Sequence, residues 1–467
     1  MKVSFHGATR TVTGSCHLLE ACGKRILIDC GLLQGRRALE AENHAPFGFD
    51  PKTIDTVLLT HAHLDHCGRL PLLVKQGFRG EIVATAATRE LTRLVLLDSA
   101  HLQEEEARRR TRQARRGGRA EDAGPLYTLI DALDVMDRFG RTAGYTKPIP
   151  LADGLTATFH DAGHILGSAS VLIEAREAGA QEAGAARTIL FSGDIGGAGR
   201  PLLGPAAPPA GADFVVMETT YGDRRHRGYA ESVTEFLAAI ADTFARGGNV
   251  IVPTFALERA QELLYVLHNA VGDGTLRAAV QVFLDSPMAI SATEIFQRHP
   301  ESCGPEVAAL LRAGQDPFGL PGLHMVRESA ESMTINSLGG GAIIMAGSGM
   351  ATGGRVRHHL RHNLWRPEAG IVFVGFAAEG TPARRIIDGA KTLRLFGDEI
   401  PVRARIHTIN GFSGHADQQE LLAWRHAVGG GSTTFLVHGE PDAMARFAAL
   451  LPPGRIEMPG LHQAFTL

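Results

Sequence analysis

The sequence predicts an α/β protein of more than one domain, and three observations carry that prediction. A chain of 467 residues, 44% hydrophobic and 21% charged, can bury a large core, and its length points to two or three domains. The head of the chain reads as short strands separated by tight, Gly-rich turns. After a Pro-rich break the pattern changes: short apolar strands alternate with amphipathic helices, as in a mostly parallel sheet covered by helices.

Taken in order, strands are expected at 2–6, 17–20, 25–29 and 56–60, followed by helices at 69–76 and 87–116. Strands resume at 155–160, 170–174 and 188–192, with 176–187, rich in Ala, Gly and Glu, as a long hairpin loop. The segment 198–211, AGRPLLGPAAPPAG, is the clearest linker. Beyond it lie strands 214–217, 249–254, 281–284, 342–345 and 371–376, with helices 229–246 and 258–271 among them. The stretch 404–467 returns to strands and histidines, with one helix at 418–427.

Composition excludes several classes. Lys+Arg is 47 and Asp+Glu is 50, a formal net charge of −3, which is not that of a basic nucleic-acid coat protein. The five cysteines form no CxxC pair, so a reducing compartment fits better than a disulfide scaffold. The opening MKVSFHGATR has no apolar signal-peptide core, and no run of about 18 apolar residues offers a membrane span. A cytoplasmic location is therefore expected, with no membrane partner.

The most informative segment is TVLLTHAHLDHCG. An apolar strand ends in His61, His63, Asp65 and His66. Imidazoles and carboxylates packed this densely are costly to bury without a cation. The donor types suit Zn²⁺, and also Mn²⁺ or Fe. His61 and His63 alternate and can point the same way; Asp65 and His66 come around the bend and can serve a second ion. Three further ionisable residues each end an apolar run: His164 in DAGHILGSAS, Asp194 in FSGDIG and His438 in FLVHGE. Cys30 and Cys67, beside these groups, read as small buried residues. His358, His359 and His362 read as surface helix residues.

The ordered set Asp29, His61, His63, Asp65, His66, His164 and Asp194 resembles the metallo-β-lactamase fold, an αββα sandwich with a two-metal site at one edge. Three later strings resemble its β-CASP nucleases: METTYG with Glu218, GFSGHAD with His415, and VHGE with His438. The opening GATRTVTGSCHLLE, the segment DSAHLQEEE and the string FHDAGHILGSA resemble the branch containing the cleavage-and-polyadenylation endonuclease and its bacterial and archaeal relatives. The resemblance covers nearly the whole chain. It implies a metallo-β-lactamase domain over 1–207, an inserted β-CASP domain over 208–398, and completion of the first domain by 399–467.

The resemblance also implies roles. One metal would be held by His61, His63 and His164, the other by Asp65, His66 and His438, with Asp194 bridging and Asp29 orienting the ligand loop. Two divalent ions, Zn²⁺ first and Mn²⁺ second, would activate a shared hydroxide for phosphodiester hydrolysis. His415, held by Glu218, would protonate the leaving oxygen. By its residues alone, His415 also reads as a neighbour of a helix cap at Ser413, with Asp417 in the first turn, and Glu218 as a strand-end ion pair.

Phosphate contacts are expected from AGSGMATGGR, where Ser348 and Gly349 sit in a small-residue loop before a helix, and from Ser413 and Arg259. Glu104, Glu105 and Glu106 precede Arg108, Arg109 and Arg110 by four residues, the favourable order on an exposed helix. The run 104–119 holds seven Arg against three Glu; it reads as a solvated helix running into a loop, with an RNA-facing arm as the alternative.

The resulting expectation is a metal-dependent ribonuclease acting on single-stranded RNA, an endonuclease with room for 5′-exonuclease activity. The alternatives are a DNA-acting β-CASP nuclease, a small-molecule hydrolase of the same fold, and a non-catalytic RNA-binding scaffold. His438 favours RNA over DNA, because DNA-acting relatives typically carry another residue there. Oligomeric state is left open.

Overall fold

The computed structural model describes residues 1–35, 37–116, 124–176, 186–375, 377–430 and 433–467. Most of the expected hairpin loop at 176–187, and the end of the basic run at 117–119, lie outside the described residues. The chain forms two compact units. The first comprises Met1–Ala198, Pro205–Arg225 and His415–Leu467; the second comprises Gly199–Gly204 and His226–Gly414.

The first unit contains two seven-stranded sheets. One runs in the order Ala464–Thr466, Lys2–Phe5, His17–Ala21, Lys24–Ile28, Thr56–Leu58, Glu81–Thr85, Phe139–Ala143. The other runs Arg455–Glu457, Thr433–Val437, Phe214–Glu218, Arg187–Phe191, Ala169–Ala175, Leu155–Asp161, Pro148–Ala152. Strand alternation decides what goes where. Ile26, Ile28, Ile189 and Phe191 meet Phe159, Val171 and Phe435 in the core between the sheets. Leu190, Val215 and Met217 turn the other way and pack against Leu421, Trp424 and Phe447 of the helices Gln418–Val428 and Pro441–Ala448. The 31-residue helix Ala86–Arg116 packs beside Glu81–Thr85 and Phe139–Ala143 of the first sheet. The result is the layered αββα arrangement.

The second unit is built on a six-stranded, all-parallel sheet ordered Leu323–Met325, Gln281–Asp285, Ala342–Ala346, Val250–Pro253, Gly370–Val374, Arg405–Ile409. Its central strands are buried end to end, as a sheet covered on both faces requires.

Both expected domain boundaries move. Phe214–Glu218 pairs in parallel with Arg187–Phe191 and with Thr433–Val437, so it belongs to the first unit rather than opening the insertion at 208. Arg405–Ile409 pairs with Gly370–Val374, so the return to the first unit comes at His415 rather than at 399. Local patterning registers a strand but not its partner. The expected linker is also packed in part, with Leu202 and Leu203 buried.

Candidate metal centre

The ionisable residues stand where strands stop. Asp29 follows Lys24–Ile28, His61 and His63 follow Thr56–Leu58, and Asp65 and His66 occupy the helical turn Leu64–Cys67. His164 follows Leu155–Asp161, Asp194 follows Arg187–Phe191, and His438 follows Thr433–Val437; Glu218 is the last residue of its strand. Backbone bonds fasten the ligand turn to the neighbouring loop: Ser15 N donates to Asp65 O at 2.7 Å and Cys30 N to His66 O at 2.8 Å. This approach needs Gly31, where a Cβ would lie 1.6 Å from the Asp65 carbonyl oxygen. Asp29 and His438 both adopt left-handed backbone, with φ of 61° and 48°, an uncommon conformation held here by the surrounding structure.

Two ligand sets result. In the first, His63 Nδ1 lies 3.1 Å from both His61 Nε2 and His164 Nε2. Asp194 Oδ2 sits 3.4 Å from His61 Nε2 and 3.6 Å from His164 Nε2. In the second, Asp65, His66 and His438 converge, with His438 Nε2 at 3.4 Å from Asp65 Oδ2. Asp194 Oδ1 turns to this set, 3.2 Å from His66 Nε2 and 3.7 Å from His438 Nδ1. One carboxylate therefore offers one oxygen to each set.

The donors fit divalent cations. Asp194 Oδ1 and Oδ2 and His66 Nε2 are buried and make no hydrogen bond, which is expensive unless a cation takes them. Burial pushes His61, His63 and His164 down, His63 to about 3, so these imidazoles are neutral and able to ligate. At His66 burial is outweighed by Asp194 and Asp29, which raise it. Asp65 and Asp194 are held low despite burial, by His438 first in each case.

Supporting bonds orient these ligands, and sequence reasoning found only part of them. Asp29 Oδ2 meets His66 Nδ1 at 2.7 Å. Thr60 was missed. Its N donates to Asp29 Oδ1 at 2.8 Å and its hydroxyl to Asp29 Oδ2 at 2.9 Å, and that hydroxyl also lies 3.0 Å from His61 Nδ1. Thr220 Oγ1, at 3.0 Å from His438 Nδ1, was also missed. Thr60 directly precedes His61, which is the one available signal; Thr220 lies 218 positions from His438 and leaves none.

His415 stands beside the ligands, its Nε2 3.8 Å from Asp194 Oδ2. Both Glu218 oxygens face its Nδ1, at 3.0 and 3.1 Å. Glu218 is fully buried and also accepts from Ile195 N at 2.6 Å and Thr220 N at 3.2 Å. Burial works against a charged His415, but Glu218 and then Asp194 outweigh it and raise it to about 9.

The expected phosphate contacts all lie in the second unit. Ser348 Oγ faces Thr352 Oγ1 at 3.2 Å within its own loop, and Gly349 packs on the Phe255 ring. Arg259 is buried, paired with Glu262 and set over the Phe412 ring. Ser413 is not a cap: Asp417 caps Gln418–Val428, accepting from Gln419 N and Glu420 N. Cys30 and Cys67 are buried as expected. His359 corrects the surface reading, being fully buried with Nε2 2.6 Å from Asp285 Oδ2. On the basic helix, Arg108 pairs with Glu104 and Arg109 with Glu106.

Comparison with known proteins is consistent with this geometry. Residues 9–167 match the metallo-beta-lactamase superfamily, 260–386 the Beta-Casp domain, and 399–456 a Zn-dependent metallo-hydrolase RNA specificity domain. Ribonuclease TTHA0252 of Thermus thermophilus is 41% identical over 457 residues, 97% of this chain and 96% of that protein. The chain belongs to the β-CASP family of the metallo-β-lactamase superfamily. Also similar is an RNase J-like protein of Methanocaldococcus jannaschii, 28% identical over 96% of this chain and 94% of that one. The transcription termination factor FttA of the same organism is 31% identical, covering 96% of this chain and 68% of its own length. A crystal structure of a protein of unknown function from Enterococcus faecalis shares the fold over the whole chain, with TM-score 0.52 and 13% identity.

Proposed function

We propose that this β-CASP protein is a metal-dependent ribonuclease that hydrolyses phosphodiester bonds of single-stranded RNA, as an endonuclease with 5′-exonuclease activity beside it. The observation that carries the reading is the pairing of a split ligand set with a separate acid. Asp194 faces both halves of the donor cluster, while His415 keeps its Nδ1 for Glu218 and its Nε2 for the site. Names of the relatives, ribonuclease and RNase J-like, support RNA as the substrate.

His61, His63, His164 and Asp194 would hold one ion, and Asp65, His66, His438 and Asp194 the other, Zn²⁺ before Mn²⁺. Divalent cations in such a site supply Lewis acidity, neutralising phosphate charge and activating water. The chain's own residues do the rest. Asp29 and Thr60 fix the ring angles of His66 and His61. Glu218 keeps His415 protonated at neutral pH and aims Nε2 outward, so that it can give its proton to the departing oxygen. No disulfide is formed among the described residues, which supports a reducing, cytoplasmic setting.

The test is cleavage of an internally labelled single-stranded RNA beside DNA of the same sequence, with chelator, Asp65→Ala and His415→Ala as controls. Internal RNA products abolished by all three support the proposal. Intact RNA with folded, metal-loaded enzyme overturns it, and cut DNA moves the reading to a DNA nuclease.

A further inference from the structure

The second unit carries an aromatic ring that its core does not use. Phe255 follows the strand Val250–Pro253, at the C-terminal edge of the parallel sheet, where open α/β sheets bind ligands. Its side chain is 44% exposed. Single exposed apolar residues are ordinary, but the surroundings of this one are built. The neighbouring strand Ala342–Ala346, in parallel register with Pro253 opposite Ala346, leads into the small-residue loop. Gly349 of that loop lies against the ring: a Cβ there would sit 2.8, 2.9 and 3.2 Å from three ring carbons. Any larger residue would displace the ring.

The loop is fixed before any ligand arrives. Val356 N donates to Gly347 O at 3.0 Å and Ser348 N to Gly353 O at 3.2 Å. Arg355 closes it with bonds of 2.7 Å to buried Asp285 and 3.0 Å to Val326 O. The ring is thus backed by a rigid glycine on one side and reachable by solvent elsewhere. Two hydroxyls of the same loop, Ser348 and Thr352, are near the surface.

We infer that Phe255 is a stacking platform for one unpaired base of the RNA, with the Ser348 and Thr352 hydroxyls taking its sugar–phosphate backbone. This rests on the ribonuclease reading and deepens it. Every base has a π-face, so such a platform is tolerant of sequence, but a base paired in a duplex is not free to leave its stack. Phe255 therefore selects single strands without selecting a sequence.

The test is binding of a fluorescent single-stranded RNA oligomer by the full-length, metal-loaded His415→Ala chain, which holds RNA without cutting it. Phe255→Leu keeps apolar bulk but removes the aromatic face, and Phe255→Tyr keeps the face. Leu is expected to weaken binding about tenfold and Tyr to match Phe. A series of oligomers with one base removed at each position then locates the contact. One position should lose about as much with Phe255 present, and nothing further with Phe255→Leu. Equal binding by Phe and Leu chains, or equal losses for both at every position, overturns the platform. Failure of the ribonuclease reading looks different: the unsubstituted enzyme would leave the same oligomer uncut.

Discussion

Glu218 grips His415 with both carboxylate oxygens, at 3.0 and 3.1 Å from a single ring nitrogen, Nδ1. That leaves Nε2 as the one nitrogen able to pass a proton. Replacing His415 by Ala is expected to lower kcat about 10²–10⁴-fold with little change in KM, the usual share of general acid catalysis. Glu218→Gln keeps a partner but removes its charge. In the proposed role His415 acts protonated, and its raised pKa, about 9, keeps it so through neutral pH. The alkaline limb of the pH–rate profile should therefore move to lower pH in Glu218→Gln. A limb that stays in place would remove His415 from the proton transfer.

Asp194 gives one oxygen to each ligand set, so its loss should differ from that of Asp65. Metal analysis of purified chains should find both ions reduced in Asp194→Ala, and one retained in Asp65→Ala. Chelation should also lower the melting temperature, because an ion that binds only the folded chain stabilises it.

Asp29 touches no reacting atom, yet it holds His66 Nδ1 and both donors of Thr60. Asp29→Asn is expected to weaken metal affinity about 10–100-fold, measured by competition with a chromogenic chelator. Thr60→Val should act in the same direction. Gly31→Ala should do so for another reason, since its methyl meets the Asp65 carbonyl.

Asp285 in the second unit accepts from Ser332 and faces His359, both at 2.6 Å, and pairs with Arg355 at 2.7 Å. Burial raises its pKa, but the bonds from His359, Ser332 and Arg355 outweigh that and hold it low. A carboxylate with a depressed folded pKa stabilises above its unfolded value, about 3.9, and loses that stability as pH falls through the folded value. Thermal melts should show this loss for the unsubstituted chain and not for Asp285→Asn. At pH 7, Asp285→Ala should lower the melting temperature, because it takes the shared acceptor from Ser332, His359 and Arg355.

The legible part of this protein was local. The string from His61 to His66 announces a cation because four ionisable groups end one apolar strand, and Asp194 and His438 follow the same rule. What stayed hidden depends on partners distant in the chain. Phe214–Glu218 resembled the opening of a new domain because its neighbour, Thr433–Val437, comes some 200 residues later. His359 looked like surface because its helix is rich in Arg and His, whereas its burial is set by Asp285, 74 positions earlier. Thr60 hides because a threonine beside a histidine is common and its hydrogen bonds are not, and Thr220 because its histidine, His438, lies 218 positions later.

The pairing of His438 with Asp65 spans 373 positions of chain. While the polypeptide is being synthesised it remains tethered to its own message, and an early fragment already holds His61, His63, Asp65 and His66. That fragment lacks His438 and the proposed acid, His415. A chain released before residue 438 is left with an unfinished centre. The donor cluster is therefore complete only when the segments on either side of residues 226–414 have folded together.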